Sequence, residues 1–76
     1  MRMTQEAFRF IIDTKREIEF SYQGKQYNIT YGTDESGGNY ILFGETYMGT
    51  RYYSFAELMT YAKIQNHYFR EMLSVL

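Results

Sequence analysis

The chain has 76 residues, 20% of them aromatic (nine Tyr and six Phe), with no cysteine, no proline and a formal net charge of −1. That length bounds the count to one domain, residues 1–76, with a small core, and the missing cysteine excludes a disulfide framework and a thiolate metal site. Near-neutral charge argues against the basic footprint of a nucleic-acid binder, no apolar run reaches a membrane span, and the start, MRMTQEAFRF, lacks the apolar stretch and cleavage site of a secretion signal, so the expected location is cytoplasmic with no membrane partner.

Thr4 can cap a helix running to about Lys15, with Glu6 in its first turn beside the exposed N–H groups. Ala7, Phe8, Ile11, Ile12 and Lys15 follow the helical period and set one stripe. Phe10 lies off it, and Lys15 and Arg16 suit the negative end of the helix. The next stretch, EIEFSYQGKQYNITY over residues 17–31, alternates strictly: Ile18, Phe20 and Tyr22, then Tyr27, Ile29 and Tyr31, separated by polar residues. Alternate strand residues point to opposite faces, so this is a β-hairpin with one apolar face. A loop at Gly24-Lys25 pairs Tyr22 with Tyr27 and Phe20 with Ile29, and glycine first suits a type II′ turn. A turn at Gln23-Gly24 is the alternative and keeps the same faces. An isolated hairpin is marginal in water, so something apolar must cover that face.

GTDESGG, residues 32–38, is the clearest loop, built from residues that bond their own backbone or reach positive φ. Asp34 and Glu35 lack the spaced oxygen ligands of a calcium loop. NYILFGE, residues 39–45, reads as a third strand, with Ile41 and Phe43 expected on the covered face and Tyr40 and Leu42 on the other. TYMGTRYY, residues 46–53, turns near Met48-Gly49 and returns as a short fourth strand. Ser54 and Glu57 then form a capping box, S-x-x-E, with Tyr53 and Leu58 as its hydrophobic staple. Phe55, Leu58, Met59 and Ala62 continue a helical core stripe to about Ile64. Beyond a turn near Asn66, Tyr68, Phe69, Met72, Leu73 and Leu76 set a new stripe, so a terminal helix is expected with Asn66 as its N-cap.

The predicted architecture is α+β: a small antiparallel sheet of three to four strands covered on one face by an N-terminal helix and one or two C-terminal helices. The E-I-E-F-x-Y-x-G-K-x-Y hairpin followed by S-F-x-E-L before a helix ending in K-I resembles a recurrent class of small bacterial proteins with no assigned activity. The resemblance spans roughly Arg16 to Ile64 and implies a fold pattern without functional residues.

The residues offer little chemistry. His67 is the single histidine, and zinc requires three or four ligands. The Ser54 hydroxyl is expected to be occupied as a cap, with no base near it. Glu17 and Glu19 share a wet strand face rather than facing each other across a cleft. Gly37-Gly38 lacks the Lys-Ser/Thr of a phosphate loop. No catalytic, cofactor or metal residue is therefore assigned. The tyrosines are too many for one small core. The fourth-strand cluster Tyr47, Met48, Arg51 and Tyr52 combines residue types enriched at protein interfaces and is the candidate contact surface. The expected function is a non-enzymatic protein–protein interaction module, either self-associating, for instance as a homodimer, or acting as an accessory or inhibitory protein. The alternative is a single-stranded nucleic-acid binder that stacks bases on sheet tyrosines.

Overall fold

A computed structural model describes residues 3–75. Helix α1 spans Gln5–Asp13, and its cap is Thr4, whose hydroxyl accepts from the Ala7 N–H at 3.1 Å. The helix stops two residues before Lys15, because Lys15 takes the left-handed conformation (φ 54°). There the Lys15 N–H donates to the Ile12 carbonyl at 3.1 Å and the Arg16 N–H to the Ile11 carbonyl at 3.0 Å. This is a Schellman ending in which lysine stands where glycine is usual. Phe8 and Ile12 are buried, while Phe10 is exposed with the Arg16 guanidinium 5.5 Å from its ring centre.

Strands β1 (Ile18–Tyr22), β2 (Lys25–Thr33), β3 (Asn39–Glu45) and β4 (Thr50–Tyr52) form one antiparallel sheet in the order β1-β2-β3-β4. The first hairpin pairs Phe20 with Tyr27 and Ile18 with Ile29, two residues away from the Gly24-Lys25 register. The turn is Gln23-Gly24, with φ of 49° and 78°. Two successive positive φ values give the type I′ pattern, whose twist matches that of the strands it joins. The shift also stacks the Phe20 and Tyr27 rings, 5.6 Å apart and 14° from parallel. Because the shift is two, each residue keeps its predicted face. Ile41 and Phe43 are buried on the same side as Phe20 and Ile29, as expected.

Helix α2, Phe55–Tyr61, starts at Ser54, whose hydroxyl accepts from the Glu57 N–H at 3.0 Å. Tyr53 is half exposed and lies edge-on to Tyr40, whereas Leu58 is fully buried. The chain after α2 departs from expectation. It leaves the helix at Ala62 and forms a miniature hairpin of β5 (Lys63–Ile64) and β6 (His67–Tyr68) before the short helix α3, Phe69–Met72. Asn66 is not an N-cap. Gln65 and Asn66 both have positive φ, 48° and 71°, and form a second two-residue turn of the I′ kind. Arg70 locks this arrangement by donating to the Met59 and Thr60 carbonyls at the end of α2, each at 3.1 Å. Its guanidinium carbon also sits 4.2 Å from the centre of the Tyr68 ring, with the Lys63 ammonium 4.8 Å from the same centre.

The turn and tie deliver Phe69 to the middle of the molecule. It is fully buried, with ring centres at 4.6 Å to Phe43, 5.2 Å to Phe8 and 6.1 Å to Phe20. Aromatic pairs at such distances add to the free energy of area burial. Ala62, Ile64, Met72 and Leu73 join the same core. Among the described residues no helix is long and apolar enough to cross a membrane.

Candidate functional site

The connection from β3 to β4 is tight and strained. At Gly44 (φ 154°) an added Cβ would meet the Gly49 backbone at 3.0 Å and would be strained by the positive φ, so glycine suits the close approach of the connection to β3. The Thr46 N–H donates to the Gln26 carbonyl at 3.0 Å and the Met48 N–H to the Glu45 carbonyl at 2.8 Å, which pins the turn at both ends. Between them Tyr47 adopts φ 70°, a conformation that a bulky residue takes only at a cost. Its side chain is 100% exposed, and that of Met48 is 73% exposed.

The four residues of the predicted contact cluster do not share one surface. Tyr47 and Met48 form the turn tip. Arg51 is exposed on the sheet face that also carries Leu42, its partner on β3. Tyr52 pairs with Ile41, points to the opposite face and is buried in the core at 9% exposure. Burial is the largest cause pushing the Tyr52 phenol up; the Thr50 hydrogen bond opposes it and the Glu57 charge adds to it. Alternation along a strand separates neighbours in this way, a division that residue type alone does not show.

Arg51 belongs to a different constellation. Its guanidinium carbon stands 4.3 Å from the centre of the Tyr40 ring, a cation–π distance. Tyr53 meets the same ring edge-on, with centres 6.2 Å apart at 64°. Tyr40 in turn crosses Gly32, where any side chain would run into the Tyr40 hydroxyl and ring. Asp34 closes the end of the ledge. Its carboxylate accepts from the Gly38 N–H at 2.8 Å and the Ser36 N–H at 2.9 Å. The Gly38 N–H first, then the Tyr53 hydroxyl, and further the Ser36 N–H and the Arg51 charge hold that carboxyl below its ordinary value against a smaller opposing effect of burial. A shallow recess lies here between Thr33, Asp34, Ser36, Arg51 and Tyr53. Parity was the available signal for this group: Tyr40 and Leu42 alternate with Ile41 and Phe43, and Arg51 falls opposite Leu42. It could not be used without the register of β4.

The remaining candidates sit in structural roles or in solvent. Ser54 caps α2. His67 is exposed beside the β5–β6 turn. Glu17 and Glu19 are exposed at and before β1. Tyr22, Tyr27 and Tyr31 pack on or within the core. The Tyr31 hydroxyl donates to the Arg16 carbonyl at 2.7 Å, and burial, with the Glu17 charge adding to it, pushes its pKa up to about 12. Among the described residues no three or more His, Cys, Asp or Glu side chains gather where they could hold a metal ion. No family model, curated protein or solved structure matches the chain.

Proposed function

We propose that the protein is a non-enzymatic protein–protein interaction module of the cytoplasm. In this reading α1 and the C-terminal segment cover the apolar sheet face, and the β3–β4 tip with its adjoining edge makes the contact. Tyr47 carries the reading. A tyrosine in a left-handed backbone costs the fold of the order of 1–2 kcal/mol relative to an unstrained site. Its fully exposed ring recovers nothing by burial. A residue that burdens its own fold and gains no packing in it is best explained by contact with another molecule. Met48 beside it is a soft, adaptable contact residue, and Arg51 supplies charge at the rim. Tyr52 is buried in the core and anchors β4 beside Ile41. The test replaces Tyr47 by glycine and Met48 by glutamate, and reads association by sedimentation and folding by thermal melting. Association lost in proteins that remain folded supports the reading; association unchanged in both variants overturns it.

A second reading, single-stranded nucleic-acid binding, draws on the Arg51–Tyr40–Tyr53 stack, since guanidinium and aromatic faces are what unpaired bases stack upon. Tyr22, Tyr27 and Tyr31 are turned to the core side and cannot widen that platform. Oligonucleotide binding that weakens steeply with salt would favour this reading over the first.

A further inference from the structure

We infer that the chain associates head to tail with copies of itself, edge β4 of one copy pairing with edge β1 of the next. This deepens the contact reading above, and rests on it for Tyr47 and Met48.

The sheet order β1-β2-β3-β4 leaves two outer strands. Among the described residues, no backbone group of 18–22 or 50–52 bonds outside the sheet ladder. The outward N–H and C=O groups of both edges are therefore open to another chain. With an even number of antiparallel strands, β1 and β4 run in opposite directions, so a second copy placed beside the first continues the antiparallel alternation.

Charge decides which edges meet. Glu19 projects from β1 on the face shared with Asn28, and Arg51 projects from β4 on that same face opposite Leu42. Pairing β1 with a second β1 about a two-fold axis sets glutamate near glutamate, and pairing β4 with β4 sets arginine near arginine. Like charges across a strand pair are unfavourable, whereas Arg51 opposite Glu19 is favourable. The register that joins them also obeys face parity. It sets Tyr52 opposite Ile18 on the apolar side, and continued past β4 it brings Met48 alongside Tyr22 and Tyr47 alongside the Gln23-Gly24 turn. A three-residue edge is a small ladder by itself. The tip lengthens it with the two most exposed large apolar side chains of the described residues. The net charge of −1 adds little repulsion between copies. A head-to-tail contact leaves a free edge on each end of a pair, so it does not stop at a two-fold dimer but extends as a series of dimers, trimers and longer assemblies, ending only where the rotation between copies closes a ring.

Charge reversal provides the test, followed by sedimentation velocity over a range of concentrations at low salt. The parent is expected to give the open series. Glu19→Arg and Arg51→Glu, each alone, put like charges at the junction and should raise the concentration for half-association about ten-fold. Both positions are exposed, and thermal melts check that each variant folds. Mixing the two single variants restores opposite charges at the junctions and should restore the series. A parent that stays monomeric, a parent that stops at a dimer, or a mixture that remains unassociated overturns head-to-tail pairing. A dimer that Met48→Glu dissolves and charge reversal leaves intact overturns the edge pairing while keeping the contact reading.

Discussion

Phe69 follows a tight turn closely in the chain and Tyr47 sits within one, yet the first is fully buried against three other rings and the second is fully exposed. The turn before Phe69 uses Gln65 and Asn66; asparagine takes positive φ readily, glutamine does so at some strain, and the turn that results places a ring in the core. At the β3–β4 tip the positive φ falls on the tyrosine itself, and its ring gains no contact in the monomer. The aromatic content of the chain is thus divided between holding the fold and facing outward, and the division can be measured.

The largest effect belongs to the centre. Phe69→Ala removes a fully buried ring and is expected to cost about 3–5 kcal/mol, much of what a domain this small possesses. Phe20→Ala should act through the same cluster. Melting within a few degrees of the parent would show that the centre is not where stability resides. A smaller loss is expected at Gly44→Ala, about 1–3 kcal/mol, since the new Cβ meets the Gly49 backbone and the positive φ is unfavourable to alanine. Chemical denaturation with an unchanged m-value would read it directly. Ser54→Ala should cost about 1 kcal/mol through loss of the α2 cap. With Glu57→Ala a double-mutant cycle should be non-additive if the capping box is reciprocal. The rim should behave in the opposite sense. Tyr47→Gly relieves the left-handed strain and is expected to raise stability by up to about 1 kcal/mol while association falls. A loss of stability there would mean that the tyrosine serves the monomer after all.

The comparison extends to pH. Because the folded-state pKa of Tyr31 is raised to about 12 from the ordinary 10.0, its neutral form is favoured in the folded protein. Its contribution to stability is fully present below pH 10 and declines as pH rises from there toward 12. Alkaline unfolding followed by phenolate absorbance should show late titration from Tyr31 and Tyr52, and Tyr31→Phe should remove the part that belongs to Tyr31.

The two I′ hairpins explain how much could be read in advance. At Gln23-Gly24 the flanking strands alternate over five residues or more, and glycine marks the turn, so the element was legible and only its register was open. At Gln65-Asn66 each flanking strand has two residues, too few for a period, and no glycine stands at the turn or beside it. Helical spacing of Phe55, Leu58, Met59 and Ala62 then ran on into a region where the chain reverses instead. The α1 end was missed for a related reason, since Lys15 fits the helical stripe but serves as its left-handed stop. At the site, residue type alone grouped Tyr52 with Tyr47, Met48 and Arg51. Strand alternation, which separates Tyr52 from Arg51, acts only once β4 is fixed at Thr50–Tyr52. The Tyr40–Arg51–Tyr53 stack required the same register and so stayed hidden.

The position of Phe69 along the chain has a bearing on how the protein is made. A ribosome builds from the N-terminus, so both long hairpins can form before this ring leaves the exit tunnel. Phe8, Phe20 and Phe43 must wait for it, and the Met3 N–H waits longer still for the Leu73 carbonyl it bonds at 3.0 Å. During that interval the nascent chain presents an unclosed aromatic face and two open strand edges, the features that invite misassembly with neighbouring chains. A chain cut just before Phe69 should therefore be chaperone-binding and protease-sensitive, and one that continues through Leu73 should be resistant.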